Sequence, residues 1–276
     1  MDAERRTLSL LMEWFMKNRT PVIIALSGGV DSAVVALAAK KALNNKAIAI
    51  TANYNTLSND ELNSAKNVAN ELGIFHKIIE YNELNNSLFV KNDSSRCYYC
   101  RTELATYLLE EAKKRGAALI VDGTHTDDLL DVRPGIRALK EKGIRSPLVE
   151  CGVGKNEIRS IARRYRLSVH NRPANSCLAS RIPAGNTVTY DKLRKIENSE
   201  TVVKAVSGVS QVRVRDHGDI ARIEVPKEEL YKLFDMTKLN LLDVQIKRQG
   251  FRFVTIDTGG YQSGNLVILP PSQEGK

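Results

Sequence analysis

Hydrophobic and polar positions in residues 1–183 alternate between short apolar runs and longer amphipathic segments. Short apolar runs bounded by turn residues are typical of strands buried in a parallel sheet, and amphipathic segments that end before a glycine predict helices. Strand–helix alternation of this kind indicates an α/β domain with a parallel sheet. The predicted strands cover 21–26, 46–52, 75–81 and 117–123, and the predicted helices cover 31–43, 59–72, 103–115 and 155–166.

The pattern changes after 181–185. A helix is expected over 188–206, and two alternating segments on either side of His217-Gly218-Asp219 predict a hairpin. Further helices are expected over 227–234 and 238–248, with a last strand over 250–257. We therefore predict two domains, an α/β domain over 1–183 and a smaller C-terminal α+β domain over 184–276 that serves substrate binding or oligomerisation.

The charge balance adds a preference for anionic partners. The chain has 276 residues, with 41 Lys and Arg against 32 Asp and Glu, a net charge of +9. This excess favours nucleotides, phosphorylated substrates or RNA, without choosing among them. No apolar run approaches the roughly 20 residues of a membrane span. The N-terminal segment predicts an amphipathic helix and not a signal peptide, so we expect a cytoplasmic protein without membrane partners.

The most specific short motif is Ser27-Gly28-Gly29-Val30-Asp31-Ser32, between the first predicted strand and the first predicted helix after it. Two glycines allow a tight turn and close approach of the backbone to an anion. The first amides of the helix then face a phosphate, and Ser27 and Ser32 add hydroxyl donors. A carboxylate beside phosphates needs a cation, so Asp31 is a candidate Mg²⁺ ligand. Neither the Walker A motif nor the GxGxxG motif is present.

Four cysteines require an explanation in a reducing compartment, where structural disulfides are rare. Cys97 and Cys100 have CxxC spacing, and Cys177 follows far along the chain. Three thiolates can hold three irons of a [4Fe–4S] cluster and leave the fourth iron open for an external sulfide. The alternatives are a zinc site that also uses His125 or Cys151, a redox pair, two packed thiols, or direct thiol chemistry at Cys177. Otherwise Cys151 is interpreted as a bystander.

The SGGVDS segment resembles the PP-loop of the ATP pyrophosphatase superfamily, which has an adenine nucleotide α-hydrolase-like fold. The resemblance implies cleavage of ATP between its α and β phosphates and an adenylated intermediate. By the same resemblance, Ser27, Gly28, Gly29, Asp31 and Ser32 hold the pyrophosphate, and Ala52 and Gly123 lie near the adenosine.

Motifs along nearly the whole chain resemble the LarE family, the ATP-dependent sulfur transferases of nickel-pincer nucleotide biosynthesis. The motifs are DVRPG at 131–135, SPL at 146–148, RPANSCLASRIPAG at 172–185, VRVRDHGDIARIEV at 212–225 and GFRFVTIDTGGYQSGN at 250–265. The resemblance implies that pyridinium-3,5-biscarboxylic acid mononucleotide is adenylated on a carboxylate and that sulfur then replaces AMP, twice. Adenylation is needed because a free carboxylate has no adequate leaving group.

The family resemblance also assigns roles to individual residues. Cys177 matches the position of a cysteine that some members sacrifice as sulfur donor, whereas the additional Cys97 and Cys100 resemble a three-cysteine type that uses a cluster-bound sulfide. Ser180 and Arg181 are candidates for substrate positioning, with a surface turn as the alternative. Arg133 is a further candidate, and His125 and His217 are expected to be incidental. One of Asp127, Asp128 and Asp131 is a candidate second Mg²⁺ ligand.

Arg213 and Arg215 alternate along a predicted strand and therefore point to the same face. Paired guanidinium groups suit a phosphate, so we expect them to bind the mononucleotide phosphate; the alternative is a solvated strand face. We also expect a sulfide source as a partner, and we expect the chain to form a homo-oligomer. A PP-loop tRNA thiolase is the main competing function, although no RNA-binding module is recognisable and nucleic acid is not the expected partner.

Overall fold

The computed structural model describes residues 3–18, 20–130, 133–173 and 176–262. The chain forms two compact units. The first covers Met1–Glu83 and Ser95–Asn175, and the second covers Leu84–Ser94 and Ser176–Lys276. This division differs from the boundary at 183 and 184 expected from sequence, and it assigns 84–94 to the second unit.

The described residues form α-helices and strands in the order expected from the sequence, with additional short helices, except that the segment expected as a helix over 227–234 forms a 3-10 helix over Lys227–Lys232. The helices are α1 (Ala3–Asn18), α2 (Val30–Leu43), α3 (Asn59–Leu72), α4 (Ser87–Val90), α5 (Arg96–Arg115), α6 (Pro134–Glu141), α7 (Pro147–Glu150), α8 (Lys155–Arg164), α9 (Tyr190–Ser207) and α10 (Met236–Lys247). The strands are β1 (Val22–Ala25), β2 (Ala47–Asn53), β3 (Phe75–Glu80), β4 (Leu119–Val121), β5 (Arg213–His217), β6 (Ile220–Glu224) and β7 (Phe253–Ile256).

The first unit is built on a parallel sheet of order β3-β2-β1-β4. Side chains alternate between its two faces. Val22 and Ile24 of β1 belong to one apolar cluster with residues of α1, α2 and α8, and Ile23 belongs to a second cluster with residues of α5. All three strand residues are fully buried. The predicted α/β fold with a parallel sheet is therefore confirmed.

The helix α3 shows how local sequence fixes an element. Ser58 and Glu61 form a capping box, and Gly73 ends the helix in the left-handed region with φ of 56°. Such caps satisfy backbone groups that have no partner within the helix. Sequence predicted both ends of α3.

The second unit contains a three-stranded sheet of order β5-β6-β7. The hairpin pair β5–β6 is antiparallel as expected, and β7 adds to β6 in parallel. Apolar residues of the sheet pack with α9 and α10 residues such as Val203, Leu242 and Ile246. None of the described helices combines the length and the apolar character needed to cross a membrane.

Candidate active site

The SGGVDS loop occupies the carboxyl end of β1 and leads directly into α2. Gly28 has φ of +77°, and a Cβ there would lie 2.4 Å from the carbonyl oxygen of Glu61. Only glycine fits this close approach. Gly29 is the N-cap of α2 and offers no side-chain acceptor to the first amides of that helix. The loop therefore presents helix amides where open α/β sheets bind anions.

The two serine hydroxyls of the loop support its conformation. The Oγ atoms of Ser27 and Ser32 are 3.1 Å apart, and the backbone N–H of Ser27 donates to Ser32 Oγ at 3.2 Å. Ser32 also donates to the carbonyl of Gly29 at 3.2 Å and is buried. Ser32 was expected to serve as a phosphate donor, and the structure gives its hydroxyl a partner inside the loop.

A cavity of about 120 Å³ lies against the loop, lined by residues 27–31 together with Glu61, Lys155 and Arg172. Lys155 Nζ lies 2.6 Å and 2.7 Å from the two carboxylate oxygens of Asp31. Both side chains are about a quarter exposed. Lys155 and Arg172 bring positive charge to a cavity that was predicted to hold pyrophosphate, and sequence reasoning identified neither.

Asp31 belongs to a cluster of charged side chains centred on His125, which is buried. His125 Nε2 lies 3.4 Å from Asp128 and 3.9 Å from Asp31, and its Nδ1 lies 3.3 Å from Asp127. The backbone N–H of Lys155 donates to Asp127 at 2.8 Å and lowers the pKa of that carboxyl.

The sequence interpretation treated His125 as incidental to the site. In the structure His125 is buried and lies in the same cluster as Asp31. Asp128 also forms an ion pair with Arg133, a predicted site residue. Asp131 lies outside the described residues, and His217 ends β5 at an exposed position.

Ala52 and Gly123, predicted near the adenosine, lie at the carboxyl ends of β2 and β4, the two strands that flank β1. Ala52 is buried in β2. Gly123 follows β4, and a Cβ there would lie 2.7 Å from the backbone nitrogen of Ser32. The absence of a side chain at Gly123 therefore lets this chain segment approach the first turn of α2.

The described residues contain no group of three His, Cys, Asp or Glu side chains arranged to hold a metal ion. Mg²⁺ is commonly held by one or two carboxylates and the phosphates of a nucleotide, so it does not require such a group. The carboxylate oxygens of Asp31, at the mouth of the phosphate loop, are chemically suited to that cation.

Cys97 and Cys100 lie in the first two turns of α5, which begins at Arg96, whereas the sequence predicted a start at 103. Cys97 is exposed, Cys100 is buried and Cys151 is half-buried. Burial raises the pKa of the Cys151 thiol. The helix supplies two thiols three positions apart, so a cluster at this turn needs a further ligand from elsewhere in the chain.

Cys177 belongs to the second unit and precedes a short 3-10 helix over Leu178–Arg181. Arg181 is 1% exposed. Its guanidinium forms a two-point ion pair with Glu200 at 2.8 and 3.0 Å and donates to the carbonyls of Ser176 and Cys177. Arg181 thus holds the backbone on both sides of the Cys177 side chain, and a surface turn is not its environment.

Arg213 and Arg215 are also buried, which rules out the solvated strand face. Arg215 donates twice to Glu224, at 2.9 and 2.7 Å, and once to the carbonyl of Ser180 at 3.0 Å. Burial and the nearby Arg181 guanidinium lower the pKa of Arg213 to about 10. The positive charge of Arg213 therefore lies where an additional anion would stabilise it.

Comparison with known proteins gives one domain match and three relatives that each cover about nine tenths of the chain. The family model described as asparagine synthase matches residues 7–130. An uncharacterized protein of Synechocystis is 41% identical over 88% of this chain and 91% of that protein. A second uncharacterized protein, from Methanocaldococcus jannaschii, is 32% identical over 90% of this chain and 92% of the relative.

A third relative has a stated activity. Pyridinium-3,5-bisthiocarboxylic acid mononucleotide synthase of Lactiplantibacillus plantarum is 32% identical over 91% of this chain and 90% of its own length. The chain belongs to the LarE family. The match includes the PP-loop domain and the second unit, so the predicted family is confirmed at that level. Membership of this family supports the prediction of an ATP-dependent enzyme of nickel-pincer nucleotide synthesis. That the chain is of the three-cysteine cluster type stays a prediction.

Proposed function

We propose that this protein activates a carboxylate of pyridinium-3,5-biscarboxylic acid mononucleotide with ATP and converts it to a thiocarboxylate, in two rounds. The observation that carries the proposal is the match to the bisthiocarboxylic acid mononucleotide synthase over 91% of the chain. The SGGVDS loop at the start of α2 supports the activation step.

In the activation step, the substrate carboxylate attacks the α-phosphorus of ATP, and pyrophosphate leaves. The proposed pyrophosphate ligands are Ser27, Gly28, Gly29, Asp31 and Ser32, with Ala52 and Gly123 near the adenosine. Lys155, which contacts Asp31 in the same cavity, and Arg172 add charge that stabilises the departing pyrophosphate. Mg²⁺ held by Asp31 and the nucleotide phosphates would neutralise charge on the leaving group.

The proposed anchor for the substrate phosphate is the buried arginine group of Arg213 and Arg215. Glu224 offsets the charge of Arg215, and Glu200 offsets that of Arg181. Among these five residues one guanidinium exceeds the carboxylates. A bound phosphate would supply negative charge beside this excess of one positive charge, which supports a mononucleotide as the ligand.

In the sulfur-transfer step, a sulfur nucleophile attacks the acyl carbon of the adenylate, and AMP leaves. Cys177 is the proposed sulfur centre, and Arg181 acts as a positioning residue because its contacts hold the Cys177 backbone. Thiolates suit an iron–sulfur cluster, and we propose Cys97, Cys100 and Cys177 as ligands of a [4Fe–4S] cluster. Such a cluster would supply an open iron for an external sulfide.

Product analysis tests the proposed reaction. Purified protein is given ATP, Mg²⁺, sulfide and the biscarboxylic acid mononucleotide, and AMP, pyrophosphate and thiocarboxylate are quantified. We expect AMP and pyrophosphate in equal amounts and a sulfur-containing product. Protein that forms neither AMP nor pyrophosphate with this substrate, while it releases them with tRNA, would overturn the proposal in favour of a tRNA thiolase.

Metal analysis after anaerobic purification tests the sulfur carrier separately. We expect about four irons per chain, the stoichiometry of a [4Fe–4S] cluster. Cys97→Ser should lose the iron, and the matched variant Cys151→Ser should retain it. Iron-free protein that makes one thiolation per chain and converts Cys177 to dehydroalanine would instead support the sacrificial mechanism.

A further inference from the structure

Asn92 stands out in the second unit because it combines burial with a left-handed backbone. It is 1% exposed and has φ of 58°. Asparagine adopts this region more readily than most residues, although at some cost in free energy. The surrounding contacts must therefore stabilise this conformation.

The side-chain amide of Asn92 converges on a single turn of the same unit. Its Nδ2 donates to the carbonyls of Pro183 and Asn186, both at 2.9 Å, and lies 3.4 Å from that of Ile182. The backbone carbonyl of Asn92 accepts from the N–H of Gly185 at 2.9 Å. Asn92 therefore joins segment 84–94 to the turn over 182–186, about ninety positions later in the chain.

The turn over 182–186 directly continues the segment that carries the proposed sulfur centre. The 3-10 helix over Leu178–Arg181 lies between Cys177 and this turn, and Ser180 N–H donates to the carbonyl of Cys177 at 2.9 Å. Arg181 contacts the backbone at Ser176 and Cys177. The Cys177 segment is thus fixed on one side by Arg181 and on the other by Asn92.

We propose that Asn92 is a positioning residue for Cys177. Its amide fixes the turn that follows the 3-10 helix and thereby restricts the positions available to the thiol. The inference rests on the proposed role of Cys177 in sulfur transfer. A displaced reactive group lowers the rate of a transfer step even when its chemistry is unchanged.

The primary test is Asn92→Gly, which removes the side-chain amide but keeps a residue that adopts positive φ without strain. Asn44→Gly is the matched control, because Asn44 also has positive φ, 51°, and is exposed in the first unit. Asn92→Asp is a second variant of nearly the same shape that lacks the two N–H donors. The three variants together separate the effect of losing the Asn92 side-chain hydrogen bonds from the effect of a more flexible backbone.

The first readout is the rate at which iodoacetamide alkylates Cys177, measured by peptide mass spectrometry with Cys151 as internal reference. We expect both Asn92 variants to raise the Cys177 rate relative to Cys151 about fivefold, the equilibrium factor of one hydrogen bond of average strength. Asn44→Gly should leave the ratio unchanged. An unchanged ratio in both Asn92 variants would overturn the proposal.

The second readout separates positioning from general support of the fold. ATP–pyrophosphate exchange reports activation, and thiocarboxylate formation reports sulfur transfer. We expect exchange within twofold of the wild type and product formation at least fivefold lower. An equal fall in both, with unchanged alkylation, would show a structural role alone. Absence of exchange in the wild type would refute the proposed function, while the alkylation ratio would still test the contact of Asn92 with the turn.

Discussion

Gly123 offers a direct test of how the sheet supports the phosphate loop. Gly123→Ala adds one methyl group, which would lie 2.7 Å from the nitrogen and 3.0 Å from the Cα of Ser32. Both are backbone atoms of the first turn of α2, so no flexible side chain can move aside. Restoring an ordinary contact of about 3.4 Å requires this turn to shift by roughly 0.7 Å.

The expected magnitude follows from the cost of overpacking, about 1–3 kcal/mol. If this whole cost is lost from the free energy of ATP binding, the Kd for ATP rises about 5- to 150-fold, since about 1.4 kcal/mol corresponds to a factor of ten. The reason is that the amides at the start of α2 would no longer converge on the bound phosphates. We expect a lower Tm in the same variant.

The assay is isothermal titration of Mg²⁺-ATP into each variant, with Tm measured by calorimetry. Gly143→Ala is the matched control, because Gly143 has φ of +76° and open space around its Cα. Left-handed strain should cost this control about 1–2 kcal/mol of stability without disturbing α2. If Gly123→Ala binds ATP within twofold of the wild type, the close approach of Gly123 to α2 does not support the anion site.

Three further predictions test single contacts. Lys155→Met should lower the rate of pyrophosphate release about 10²- to 10³-fold, because a cation in the cavity is lost, and Lys113→Met on the exposed end of α5 should not. Arg181→Met should cost about 3–5 kcal/mol in urea unfolding, because Glu200 is left buried without its ion pair, and adding Glu200→Gln should recover part of the loss. The Lys77 ammonium lowers the pKa of Glu111, so Glu111 stabilises the fold above its ordinary value of about 4.5 and loses this effect as the pH falls. Glu111→Gln should therefore lower Tm at pH 7, and the difference from wild type should shrink in acid.

Local signals predicted elements well where the chain carries its own caps. The bounds of α3 were predictable because Ser58, Glu61 and Gly73 act within a few residues of the helix ends. The start of α5 was missed because Cys and Tyr residues are weak helix formers, and helix formation there goes with the burial of Cys100 and Leu104. Tertiary packing therefore extends this helix beyond its sequence signal.

The candidate site was only partly predictable from sequence. The spacing of Arg213 and Arg215 indicates a shared strand face, but the burial of both side chains and the pairing of Arg215 with Glu224 become visible only in the folded chain. Nothing in the sequence around Lys155 distinguishes it from other lysines at the start of a helix, which are usually solvated. Its contact with Asp31 joins residues 124 positions apart and becomes visible only in the structure.

The assignment of Leu84–Ser94 to the second unit has a consequence for how that unit is completed during synthesis. At about 5–20 residues per second, roughly 4–16 s separate this segment from the emergence of Ser176 at the ribosome. A gene fragment that begins at residue 176 would lack the donor for the Pro183 and Asn186 carbonyls. Such a fragment should recover its native turn when a peptide spanning 84–94 is added or fused to its N-terminus.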